Sequence, residues 1–120
     1  MKRIELENGN YRRIVYYDDK DTKIMHDMYY NKNDYIHNLY GPAEIKYYKS
    51  GKIEAMQYCI NRKRHRLNGP AMIWYNRSGE IEHAYYYING KSYSKEEFYK
   101  RPEVIKFRNI NRNLKLLNKK

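Results

Sequence analysis

The run Arg62-Lys63-Arg64-His65-Arg66 is the densest charge in this 120-residue chain. Clustered guanidinium and ammonium groups grip polyanions, because neutralising phosphates releases their condensed counterions. A second basic segment follows, where Arg101, Lys106, Arg108, Arg112, Lys115, Lys119 and Lys120 are opposed only by Glu103. Trp74, Tyr48, Lys46 and Tyr17 add aromatic and basic groups of the kind that stack bases on one face of a sheet. The candidate partner-contacting residues are therefore Arg62, Lys63, Arg64, Arg66, Trp74, Arg108 and Arg112. The alternative for the first run is a solvated loop between two hairpins. In that case, replacing Arg62, Arg64 and Arg66 together leaves folding nearly intact.

Other reactive residue types do not form constellations. His26, His37, His65 and His83 show no ligand spacing with Cys59 or with carboxylates, and are expected to be satisfied, partly buried imidazoles. Cys59, the single cysteine, lies inside a strand pattern and reads as a buried small hydrophobe in a reducing compartment. Glu54 and Glu82 resemble a carboxylate pair, but their spacing is that of a repeat, and cross-strand pairing with surface Lys or Arg is the simpler expectation. A phosphate-cradling glycine loop, a nucleophile beside a base and a cofactor fingerprint are all missing from the sequence. The expectation is a non-enzymatic protein using no metal and no cofactor.

The elements that position the basic runs are repeats. Gly41-Pro42-Ala43 to Glu54 returns as Gly69-Pro70-Ala71 to Glu82, 28 positions later, and Tyr58, Ile60, Asn61 and Lys63 fall on Tyr86, Ile88, Asn89 and Lys91. A diverged upstream copy places Ile14 and Tyr16-Tyr17 on Ile45 and Tyr47-Tyr48, and Ile24, His26 and Tyr29 on Ile53, Ala55 and Tyr58. Its loops are longer, with Asp34 to Tyr40 standing in place of Arg64 to Asn68. Within each unit two β-rich runs flank Ser50-Gly51 or Ser78-Gly79, the pattern of a β-hairpin. Asn8-Gly9 and Asn89-Gly90 are further turn signals. Alternation puts Ala43, Ile45 and Tyr47, and likewise Ala71, Ile73 and Tyr75, on the face expected to meet the core, with Tyr58, Tyr86, Ile60 and Ile88. Ser94-Lys95-Glu96-Glu97 is a capping box that starts a helix. Pro102 interrupts it and opens a second helix, carrying Val104, Ile105, Phe107 or Arg108, Ile110, Leu114 and Leu117 at helical spacing. These helices are expected to cap the last hairpin.

The predicted architecture is mainly β: one domain over 1–120, with about three antiparallel hairpin repeats in 1–93 and a helical cap with a basic tail in 94–120. The formal net charge is +11, and 16 tyrosines stand against 2 phenylalanines. Such charge favours nucleic acid, acidic proteins or anionic surfaces as partners. Tyrosine suits a thin sheet, its ring packing inward while its hydroxyl reaches water or backbone. No apolar run is long enough to span a bilayer, and Met1 to Glu7 offers no signal-peptide core, so a cytoplasmic location is expected.

The unit resembles the MORN-type repeat family in its broad sense, through Gly69-Pro70-Ala71, Tyr75, Ser78-Gly79, Ile81-Glu82, Tyr86 to Lys91, and their counterparts from Gly41 to Lys63. It is most similar to the Gly-Pro-Ala version found in proteins of large DNA viruses and some AT-rich bacteria, in which case host cytoplasm or a virion is the setting. The likeness covers about residues 11–93. Asn61-Arg62 departs from the pattern where the third unit has Asn89-Gly90, and the strict multiple-glycine spacing is absent. The resemblance implies a curved open sheet that serves as a scaffold and performs no chemistry. The expected function is a protein-interaction or assembly module that docks an acidic partner through its sheet and basic loops, with self-association through open edges. The alternative is a basic nucleic-acid-binding protein acting in packaging or host interference. Membrane attachment is disfavoured, because Leu114, Leu116 and Leu117 are too few and too poorly segregated.

Overall fold

The computed structural model describes residues 1–118. Ten strands and two helices follow in order: β1 Lys2–Glu5, β2 Tyr11–Tyr16, β3 Ile24–Tyr30, β4 Glu44–Tyr47, β5 Ile53–Gln57, β6 Cys59–Ile60, β7 Lys63–Arg64, β8 Met72–Tyr75, β9 Ile81–Ile88, β10 Lys91–Tyr93, α1 Lys95–Tyr99 and α2 Pro102–Asn118. Eight strands form one open antiparallel sheet in the order β1-β2-β3-β4-β5-β8-β9-β10, and β6 and β7 pair as a small hairpin. The fold is thus mainly β, built of antiparallel hairpins with a helical C-terminus, as the repeat pattern predicts.

The Gly-Pro-Ala motif sits where neighbouring hairpins meet. Ala43 N–H donates to Gln57 O while its carbonyl accepts from Tyr29 N–H, and Ala71 does the same between Tyr85 and Tyr58. Both alanines are fully buried, so a larger side chain has no room there. The preceding proline lacks only an N–H, which this position does not need. At the opposite rim, Gly51 and Gly79 both adopt φ 93°, the left-handed conformation that closes a short hairpin loop.

All three hairpins carry a β-bulge near that rim. Val15 and Tyr16 face His26 and Ile24, Lys46 and Tyr47 face Ala55 and Ile53, and Trp74 and Tyr75 face His83 and Ile81. The unpaired extra residues are Met25, Glu54 and Glu82. This corrects the expectation for the two glutamates. They repeat because the bulge repeats, and among the described residues neither makes an ion pair. Bulges add twist to the strand that carries them.

The predicted core face is only half right. Ala43, Ala71 and Ile73 are buried, but Tyr47 and Tyr75 are half-buried, while Met28, Ala55 and Met72 on the opposite face are buried too. A single-layer sheet explains this, since neither face is covered along its whole length. The accessible surface is 8621 Å², against about 7,000 Å² for a compact chain of this mass. A closed core exists at the C-terminal end, where Tyr86, Ile88, Phe98 and Val104 cluster against Leu67, Tyr93 and Tyr99. The Ser94 hydroxyl accepts from Glu97 N–H at 3.1 Å and so caps α1 as predicted. Only Val104 of α2 is buried; Ile105, Ile110, Leu114 and Leu117 are exposed, so the cap is shorter than the helical stripe suggested. Among the described residues no helix is long and apolar enough to cross a membrane.

Candidate partner-binding surface

The basic run belongs to a structured hairpin and to the crossing that follows it. Asn61 and Arg62 take φ 48° and 75°, matching 49° and 83° at Asn89 and Gly90, so the same two-residue left-handed turn forms in both units. Arg62 thus holds a conformation that favours glycine, and its guanidinium lies 4.0 Å from the centre of the Tyr35 ring. Lys63 is exposed on β7. Arg64 is half-buried, donating to Gln57 Oε1 at 3.0 Å and to the Tyr87 hydroxyl at 3.4 Å. Arg66 stacks 3.9 Å from the Tyr58 centroid and donates to Pro70 O at 3.1 Å. The solvated-loop expectation is therefore corrected: Arg64 and Arg66 have internal partners, and only Arg62 and Lys63 stand out into solvent.

Arg108 and Arg112 are exposed on α2, with the Arg108 guanidinium 5.4 Å from the Tyr99 ring centre. Lys119 and Lys120, the last members of the basic tail, lie outside the described residues. Trp74 is half-buried in β8, opposite Ala55 and His83. Lys46 shares its face, one strand beyond Ala55. The Tyr17 hydroxyl donates to Tyr47 O at 2.6 Å and the Tyr48 hydroxyl to Tyr75 O at 2.7 Å, so both rings strap one hairpin turn to the next.

A repeated histidine marks the two crossings. His37-Asn38-Leu39-Tyr40-Gly41-Pro42-Ala43 matches His65-Arg66-Leu67-Asn68-Gly69-Pro70-Ala71 at the same 28-residue spacing. His37 Nδ1 accepts from Asn61 N–H at 2.9 Å, and His65 Nδ1 accepts from Asn89 N–H at 3.0 Å. Each imidazole satisfies the first N–H of a left-handed turn. Burial pushes the His65 pKa down, favouring the neutral ring this bond requires. His26 Nε2 lies 3.3 Å from Glu44 Oε2, close enough for an ion pair but without hydrogen-bond geometry. Cys59 is buried, and loss of solvent pushes its thiol up to about 11, the value of an unreactive thiol. No cluster of three metal-ligating side chains occurs among the described residues.

Two clefts open beside the crossings. One of about 920 Å³ is lined by Leu6, Tyr29 and Tyr30 with Glu5, Glu7 and Asp27. Asp27 is buried and held by Arg12 through two bonds of 2.8 and 2.6 Å. The other, about 680 Å³, is lined by Leu39, Tyr58, Ile60, His65, Arg66 and Phe107 among others, and no carboxylate of the described residues lines it. Together these features define a hairpin-repeat protein with an open sheet, basic crossings and clefts between units. Comparison with protein-family profiles, with curated proteins and with solved structures finds no match for the chain.

Proposed function

We propose that this chain is a non-catalytic MORN-like repeat protein, a docking module that holds an acidic protein against its sheet and basic crossings in the cytoplasm. The observation that carries the reading is the state of its arginines and lysines. Among the described residues no carboxylate lies within 4.0 Å of Arg62, Lys63, Arg64, Arg66, Arg108 or Arg112. Arg62, Arg66 and Arg108 are meanwhile held over tyrosine rings, so less side-chain freedom is lost when a carboxylate arrives. We favour an acidic protein over a single-stranded nucleic acid because the Tyr17 and Tyr48 hydroxyls tie successive turns together, a structural use that accounts for these tyrosines without a base. The edge strands carry Lys2, Arg3, Glu5 and Lys91, charges that discourage edge-to-edge self-association.

Affinity purification from native cells, with and without nuclease, followed by mass spectrometry, tests the proposal. The expected result is a protein partner that survives nuclease and is released by charge reversal at Arg62, Arg108 and Arg112. Loss of all association on nuclease treatment, with protected nucleic acid recovered, overturns it in favour of the nucleic-acid reading. A log–log salt slope near −0.9 per neutralised phosphate would then be the mark of duplex binding.

A further inference from the structure

We propose that the cleft between the first and second crossings, bounded by Leu39, Tyr58 and Ile60, receives an acidic helical segment of the partner through an aromatic side chain. The inference rests on the docking reading above and names the chemistry of what docks.

The chain itself displays the occupant. In the last unit Leu67, Tyr86 and Ile88 form an apolar cradle that Phe98 of α1 and Val104 of α2 fill, both with no exposed surface. Twenty-eight residues earlier the same three residue types recur as Leu39, Tyr58 and Ile60, and these line the 680 Å³ cleft. There the Arg66 guanidinium lies over the Tyr58 ring at 3.9 Å, where Phe98 packs on Tyr86, and the space beside it toward Leu39 and Ile60 is the open cleft. Leu67 is half-buried against the cap, whereas its counterpart Leu39 is 63% exposed. Phe107 forms part of the cleft wall, so α2 borders the middle cradle without covering it.

Charge selects among occupants. The segment that fills the last cradle reads Lys95-Glu96-Glu97-Phe98-Tyr99, an aromatic anchor preceded by two glutamates. The middle cleft bears Arg66 and no carboxylate of the described residues, and Arg108 lines an adjoining cleft with Leu67 and Asn68. A second copy's α2 is a poor fit, because Lys106, Arg108, Arg112 and Lys115 would meet like charge. The neighbouring cleft is the poorer seat for an acidic helix: among the described residues its lining offers no lysine or arginine, Arg3 and Arg12 being paired with its Glu5 and Asp27, and Glu7 adds a further carboxylate.

Fluorescence anisotropy with the full chain tests the inference. The probe is a fluorescein-labelled peptide of residues 94–105 carrying Lys95→Glu and Lys100→Glu, alongside the same peptide with Phe98→Ala. Saturable binding is expected, weakened about tenfold or more by the peptide's Phe98→Ala or by Leu39→Asp in the protein, as for removal of a buried anchor. Leu39 is exposed, so an unchanged Tm for Leu39→Asp confirms that the fold is intact. Absence of binding to the wild-type chain, or binding indifferent to both substitutions, overturns the inference. So does a dimer in sedimentation equilibrium that Leu39→Asp dissolves, which would place a second copy in the cleft. If a nuclease-resistant partner is still captured by the Leu39→Asp chain, the cleft assignment falls while the docking function stands.

Discussion

The middle and last units share a backbone but not a surrounding. Both have the bulge, the crossing histidine and the left-handed turn; the last is closed by α1 and α2, and the middle is open. Equivalent residues therefore do different work. Tyr86 is packed 4.8 Å from the Phe98 ring centre, whereas Tyr58 is half-buried beneath the Arg66 guanidinium. A repeat sequence thus specifies a conformation, and its neighbours decide how much stability each side chain contributes.

Truncation should expose that difference most strongly. Phe98→Ala or Tyr86→Ala is expected to cost about 3–5 kcal/mol in urea unfolding. Tyr58→Ala should cost only about 1–2 kcal/mol, as for a partly exposed site. Equal losses at Tyr58 and Tyr86 would break the comparison. Next comes Arg64→Ala with Arg66→Ala, expected to lower stability by about 1–2 kcal/mol through lost hydrogen bonds and stacking. A neutral result would restore the solvated loop.

The two turns sharpen the comparison at smaller scale. Gly90→Ala should cost about 1 kcal/mol, because alanine resists the left-handed region. The converse, Arg62→Gly, should gain about 0.5 kcal/mol once relief of strain is set against the lost Tyr35 contact. Acid should act most gently. His65 has a lowered pKa when folded, so the unfolded chain binds its proton first. Its contribution is complete above about pH 6.5 and is lost as pH falls from there through the folded value. An NMR titration should place the His65 midpoint below that of a free imidazole, with the Asn89 amide shifting in step. A midpoint at or above the free value would remove the acceptor role.

What was legible in the sequence was whatever repeats in residue type. The 28-residue period, the Ser-Gly loops and the Ser94 box follow from local chemistry and stand as read. The histidine bond is legible in principle too, because His37 and His65 sit at the period within matching motifs, though the differing residues around them, Asp34 to Tyr40 against Arg62 to Asn68, mask the match. Strand order between hairpins was not legible, since β5 pairs with β8 across an intervening hairpin. Nor was the left-handed Arg62, whose residue type argues against the turn that its neighbours impose. The basic candidates were found by type, but their burial was not. Arg64 and Arg66 differ from Arg62 in the hydrogen bonds they donate, to Gln57 and Tyr87 and to the Pro70 carbonyl, which only the folded chain brings within reach.

The tyrosine straps have a mechanical consequence. Tyr17 and Tyr48 fasten successive turns along one rim, while His37 and His65 fasten successive crossings along the other. A sheet stitched along one margin can hinge open like a book; stitched along both, it resists flexing about the strand axis. The ties along both margins thus make the order and spacing of the units a property of the chain itself.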